Sequence, residues 1–101
     1  MTHEDLTPTV LKAIKNVCEQ YRVRELSIFG SALREDFRTD SDIDLLVEFE
    51  PEAQIGFVTL SRMQRELSAI LNRPVDLVPK GGLKTKIRDI VISNAKVLYA
   101  Q

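Results

Sequence analysis

The sequence predicts an α/β fold of the α+β kind, a small mixed or parallel β-sheet packed with helices. Three observations carry this expectation. Apolar residues change period along the chain from helical to strand-like and back, the extended runs are short, and their order is helix, strand, short connection, strand, helix, strand, helix. No repeat, low-complexity tract or Ser/Gly linker breaks the alternation, so the 101 residues are expected to form one domain spanning 1–101.

The elements follow in chain order. Thr7 is a good N-cap with Pro8 at the first helical position, and Val10, Leu11, Ile14, Val17, Cys18 and Tyr21 fall on one helical face. Lys12, Lys15 and Glu19 take the opposite face. From Val23 to Phe29 the period becomes two, until Gly30 breaks it, which reads as a first strand. Asp42 to Phe49 alternates more cleanly, with Ile43, Leu45 and Val47 on one side and Asp42, Asp44, Leu46 and Glu48 on the other. After Pro51 the spacing of Phe57, Leu60, Met63, Leu67, Ile70 and Leu71 is helical, and Asn72, Arg73 and Pro74 end that helix. Val75 to Val78 reads as a short third strand, followed by Pro79 and the Gly81-Gly82 pair. A closing helix is expected from about Leu83 to Leu98, on the stripe of Leu83, Ile87, Ile90, Val91, Asn94 and Leu98.

Composition narrows the function classes. A hydrophobic fraction of 44% suffices for a modest core, and four Phe, two Tyr and no Trp make that core mostly aliphatic. Fourteen Lys plus Arg against fifteen Asp plus Glu argue against a broad nucleic-acid footprint, so sequence-specific nucleic-acid binding is not expected and phosphate chemistry must be local. The lone Cys18 can form neither an internal disulfide nor a zinc knuckle, and a reduced cytoplasm is the expected location. Charged residues interrupt every apolar run well before the roughly 18–20 residues of a membrane span, and the start lacks the pattern of an export signal.

The informative segment is Gly30 to Asp44, reading GSALREDFRTDSDID. Residues two apart on a strand share a face, so Asp42 and Asp44 project together while Ile43 and Leu45 enter the core. With Asp40 close by, the like charges call for hydration or a bound cation, and oxygen ligands suit Mg²⁺, Mn²⁺ or Ca²⁺. Asp76 stands out of phase with Val75 and Leu77, and if the strands are neighbours three carboxylates share one face, which makes a two-metal site conceivable. Gly30-Ser31 lets a phosphate approach the backbone, and Arg34, one helical turn on, is within reach of the same anion. The Walker pattern ending in Gly-Lys-Ser/Thr is absent. Singly, each feature has a plainer explanation as a turn or a solvated strand start.

Their ordered combination resembles a known signature: a hydrophobic strand ending in Phe-Gly-Ser, ten residues, then Asp-x-Asp followed by Leu-Leu-Val-Glu-Phe. It is similar to the DNA polymerase β-type nucleotidyltransferase superfamily, and more narrowly to the minimal nucleotidyltransferases (MNT) paired with HEPN-domain toxins in prokaryotic toxin–antitoxin operons. The resemblance covers nearly the whole chain and implies the nucleotidyltransferase fold. It further implies that Gly30 and Ser31 bind a nucleotide triphosphate, that Asp42 and Asp44 hold two Mg²⁺ ions, and that Asp76 completes the metal site. The implied reaction is AMP transfer from ATP, with loss of pyrophosphate, to a tyrosine hydroxyl of a HEPN ribonuclease toxin, which is thereby neutralised. Many members carry Arg-Gly after the Gly-Ser turn, whereas Glu35 and Asp36 follow Arg34 here; this bears on loop geometry, and activity is expected to survive. The toxin is expected to complete the site in a hetero-oligomer, or a second copy to cover leftover apolar surface. Rival readings are an antitoxin that works by occlusion alone, a nucleotidyltransferase acting on a small molecule or a nucleic-acid end, and a module without chemistry.

Outside that segment, Lys80, Lys84, Lys86 and Arg88 gather near the start of the expected closing helix, as a solvated face or an anion contact. Arg62 and Arg65 read as surface residues, Cys18 as a small core residue, and His3 as part of a frayed start with no catalytic role.

Overall fold

The computed structural model describes residues 6–29, 42–82 and 95–101. Helix α1, Pro8–Gln20, starts as the sequence predicts: Thr7 Oγ1 accepts a hydrogen bond from the Val10 N–H at 3.2 Å, and Pro8 occupies the first turn, where no intrahelical donor is needed. Tyr21 and Arg22 turn the chain, Arg22 in the left-handed region at φ 58°, into strand β1, Val23–Phe29. The turn is tied down by the Glu50 N–H donating to the Arg22 carbonyl at 3.0 Å and by Arg22 Nε against Glu50 Oε2 at 2.9 Å. Strand β2, Ile43–Phe49, returns antiparallel to β1. Helix α2, Phe57–Leu71, then crosses over, as a parallel connection requires. It stops at Asn72, whose left-handed φ of 55° is tolerated by Asn better than by most residues. Strand β3, Val75–Pro79, pairs parallel to β2, and a single 3₁₀ turn follows over Lys80–Gly82.

Strand β4, Lys96–Ala100, pairs antiparallel to the free edge of β1, giving the sheet order β3-β2-β1-β4. This corrects the end of the expected closing helix: Leu98 lies on a strand. A short apolar run such as Val97–Tyr99 suits a helix or a strand, and the open hydrogen-bonding edge of β1 decides between them. The remainder of that expected helix, 83–94, lies outside the described residues. The sheet is mixed, with one parallel and two antiparallel pairings.

Helices α1 and α2 contribute Ile14, Val17 and Cys18, and Met63, Leu67 and Leu71, to one core. The sheet side of that core is built from the alternating Leu26 and Ile28, Ile43, Leu45 and Val47, and Val75 and Leu77. It is aliphatic as expected, with Tyr21 the aromatic member of the buried cluster. Two stripe residues depart from the expectation. Phe57 is 83% exposed because it opens α2 one turn before Leu60, where that face first meets the core, and Leu11 is exposed at the margin of the α1 stripe. Among the described residues no helix is long and apolar enough to cross a membrane.

Candidate active site

The strand register assembles the carboxylates. Asp44 is the direct partner of Asp76 across the parallel β2–β3 pair and of Phe29 across the antiparallel β1–β2 pair. Neighbouring strands lie about 4.8 Å apart, and in-register partners point to the same face, so the two side chains stand side by side. Asp42 immediately precedes β2 and, two residues from Asp44, shares that face if the alternation is extended by one step. The conditional expectation that β2 and β3 are neighbours is therefore met. Burying the apolar residues 43, 45, 47, 75 and 77 against the helices leaves Asp44 and Asp76 on the other face of the sheet.

The electrostatics follow from this packing. Asp42 and Asp76 are exposed, and Asp44 is half-buried. Burial first, then the charges of Asp76 and Asp42, push the Asp44 carboxyl above its ordinary value. Among the described residues no ion pair or side-chain hydrogen bond offsets any of the three charges. Neither do three or more acidic, His or Cys side chains among those residues close into a ready-made metal cage. Carboxylates on one face are hard oxygen donors, of the kind Mg²⁺ takes in ones and twos together with substrate phosphates and waters.

The phosphate-side residues Gly30, Ser31 and Arg34, and Asp40 with them, lie outside the described residues, as do His3, Lys84, Lys86 and Arg88. Lys80 is placed: its Nζ meets Glu48 Oε2 at 2.8 Å, while Arg24 Nε approaches the other oxygen of Glu48 at 3.6 Å. Glu48 projects from the same face of β2 as Asp44, and its carboxylate is met by these two cations, whereas among the described residues Asp44 has no such partner. Arg62 and Arg65 are exposed, and Cys18 is fully buried, both as expected.

Two polar side chains that the sequence pattern did not single out hold the outer edge of β3. Gln64 Oε1 accepts from the Leu77 N–H at 2.9 Å, and Ser68 Oγ accepts from the Val75 N–H at 3.0 Å. The signal available in the sequence was a pair of polar residues four apart on α2, directly beside the buried Met63 and Leu67.

Comparison with known proteins agrees with this geometry. The family model described as "Nucleotidyltransferase domain" matches residues 10–98. The protein adenylyltransferase MntA of Thermococcus cleftensis is 36% identical over 93 residues, covering 91% of each chain. A solved minimal nucleotidyltransferase is 32% identical, covers 94% of both chains and superposes with a TM-score of 0.76. Two solved toxin–antitoxin complexes share the fold at lower identity. One, with AMP-PNP, is 20% identical with a TM-score of 0.73, covering 90% of this chain and 73% of that one. The other, a tri-AMPylated Shewanella oneidensis HEPN toxin with its MNT antitoxin, is 19% identical with a TM-score of 0.66, covering 92% and 71%. With paired aspartates on adjacent strands of a mixed sheet and the family match running from α1 into β4, this chain belongs to the nucleotidyltransferase domain family.

Proposed function

We propose that residues 1–101 act as one minimal nucleotidyltransferase domain, a protein adenylyltransferase antitoxin that moves AMP from ATP to a tyrosine hydroxyl of a cognate HEPN ribonuclease toxin. The observation that carries the reading is the register Asp44↔Asp76 beside Asp42, a group of carboxylates on one sheet face that no cation among the described residues offsets. The MntA relative supports AMP transfer to protein, and the complexes with AMP-PNP and with an AMPylated HEPN toxin support the donor and the partner. The cytoplasm, where a buried free thiol such as Cys18 stays reduced, is the compartment this reading requires.

Asp42, Asp44 and Asp76 would hold Mg²⁺, two ions in this reading. Bound there, Mg²⁺ neutralises triphosphate charge and acidifies an acceptor hydroxyl. The chain's own contribution is positional. The sheet register sets Asp44 and Asp76 side by side before any nucleotide arrives, and Gly30-Ser31, following β1 in the chain, would offer backbone N–H groups and a hydroxyl to phosphate oxygens. Arg34 is assigned to the same anion. The α-phosphate then accepts the tyrosine oxygen as pyrophosphate leaves, one P–O bond forming and one breaking, with the phenolic proton passing to a nearby base. A hetero-oligomer with the toxin brings the acceptor to the face.

The test incubates the purified chain with the toxin, Mg²⁺ and ATP, and reads intact masses of both proteins beside the Asp42→Asn, Asp44→Asn double variant. Gain of adenylate units on the toxin, absent with the variant, is the expected result. Toxin silenced by both forms without mass gain overturns the enzymatic reading in favour of occlusion.

A further inference from the structure

We infer that Gln64 and Ser68 are positioning residues for the reaction: together they clamp β3 so that Asp76 is held level with Asp44. The inference rests on the reading of Asp76 as part of the site.

Among the described residues β3 lies at one edge of the sheet, five residues long, and a short edge strand is where register is least constrained. The Ile43 N–H donates to the Pro74 carbonyl at 2.9 Å, which fixes the phase of the parallel ladder: Val75 and Leu77 then direct their N–H groups away from β2. Both residues are buried, at 6% and 4% exposure, so those donors need partners inside the protein. α2 supplies them from its side chains, Ser68 to Val75 and Gln64 to Leu77.

The spacing matches. Four residues of helix rise about 6.0 Å and two residues of strand about 6.6 Å, so an i, i+4 pair on α2 reaches an i, i+2 pair on β3 running the opposite way. Asp76 is the residue between the two clamped amides. A slip of β3 by one residue would present an apolar neighbour beside Asp44 and turn Asp76 toward the core, and any slip must break both clamps. A clamp on the strand's outer edge thus controls a carboxylate on its face without touching nucleotide or acceptor.

The experiment uses the full chain with its toxin and the variants Gln64→Leu and Ser68→Ala, with Gln64→Glu and Ser68→Thr as versions that keep an acceptor oxygen. Two readouts are taken: amide hydrogen exchange at Val75 and Leu77, and the Mn²⁺ concentration giving half-maximal AMP transfer. In Gln64→Leu, exchange at Leu77 is expected to accelerate at least about tenfold, since a buried donor loses its partner. The half-maximal Mn²⁺ concentration is expected to rise about tenfold, the lower end for residues that orient metal-binding groups, with a smaller fall in maximal rate. Ser68→Ala is expected to change both in the same direction, and the acceptor-keeping variants to restore both. Faster exchange with unchanged Mn²⁺ dependence overturns the inference, leaving a purely structural clamp; unchanged exchange overturns it as well. If Asp76→Asn transfers AMP with the parent's Mn²⁺ dependence, the reading of the site has failed, a result distinguishable because the clamp variants still report through exchange.

Discussion

Replacing Asp44 by Asn is predicted to make the metal-free protein more stable while removing its chemistry. Asp44 and Asp76 stand on in-register neighbours, so their charges lie about 5 Å apart, and even at the dielectric of water that separation costs about 0.8 kcal/mol. Asp42, two strand residues away at about 6.5–7 Å, adds about 0.6 kcal/mol. With part of this relieved by side-chain rotation, deleting the Asp44 charge is worth about 1 kcal/mol at low ionic strength, or a Tm rise of about 4–8 °C for a domain of this size. At 0.15 M salt, where the Debye length is about 8 Å, the gain falls to roughly half. The pH dependence has a definite sign. Because burial, Asp76 and Asp42 hold the Asp44 carboxyl above its ordinary value, the native chain keeps that proton to higher pH than the unfolded chain. The stability from this group is complete below the ordinary value of 3.8 and is lost as pH rises through the raised one. Asp44→Asn should therefore outmelt the parent near pH 7 in EDTA and lose its advantage toward pH 3. Thermal melts by circular dichroism at two salt concentrations and two pH values check all of this. An Asp44→Asn protein that melts at or below the parent at pH 7 in EDTA and low salt would refute the repelling-carboxylate geometry.

The remaining predictions concern the scaffold. Burial, reinforced by Glu19, pushes the Cys18 thiol up to about 12, so native protein at pH 8 should resist a disulfide reagent that labels the urea-unfolded chain at once; rapid native labelling would contradict its burial. For the same reason the contribution of Cys18 to stability should decline as pH climbs from 9 toward 12, read as a falling urea midpoint. Thr7→Ala removes the acceptor for the Val10 N–H and should cost about 1 kcal/mol, with Thr7→Ser retaining most of it in the same melts. Leu67→Ala empties a fully buried site between α2 and the sheet and should cost about 2–5 kcal/mol by urea denaturation.

What could be read from the sequence was what local periodicity encodes. α1, β1, β2, α2 and β3 each bury one face against the same core, so their period and caps are written in their own residues, from Thr7-Pro8 to Asn72. β4 was not readable in this way. Leu98 sits four residues after Asn94 and also inside the consecutive apolar run Val97–Tyr99, and what settles the choice is the pairing of Val97 with Ser27 and of Tyr99 with Leu26, some seventy residues earlier. The candidate site divides along the same line. That Asp42 and Asp44 share a face follows from a two-residue period, but the partnership of Asp44 with Asp76 depends on β3 docking beside β2 through α2, which sequence supplies only as a condition. Gln64 and Ser68 carry only the faint signal of a polar pair four apart beside buried positions, because nothing in their own helix distinguishes an acceptor that meets solvent from one that meets an edge strand.

The two faces of the sheet therefore answer to different constraints. On the helix-covered face, the residues of β1, β2 and β3 are buried aliphatics whose loss costs folding free energy. On the opposite face, Asp44 carries a charge that burial and its acidic neighbours disfavour, a cost that the proposed role in holding a cation would offset. Because alternate residues of one strand serve the two faces, β2 cannot relax one set without moving the other. Core substitutions at Leu45 or Leu77 should accordingly disturb the Asp44–Asp76 pair more than their exposure to nucleotide would suggest, and surface substitutions on α2's outer side, such as Arg62 or Arg65, should disturb it less.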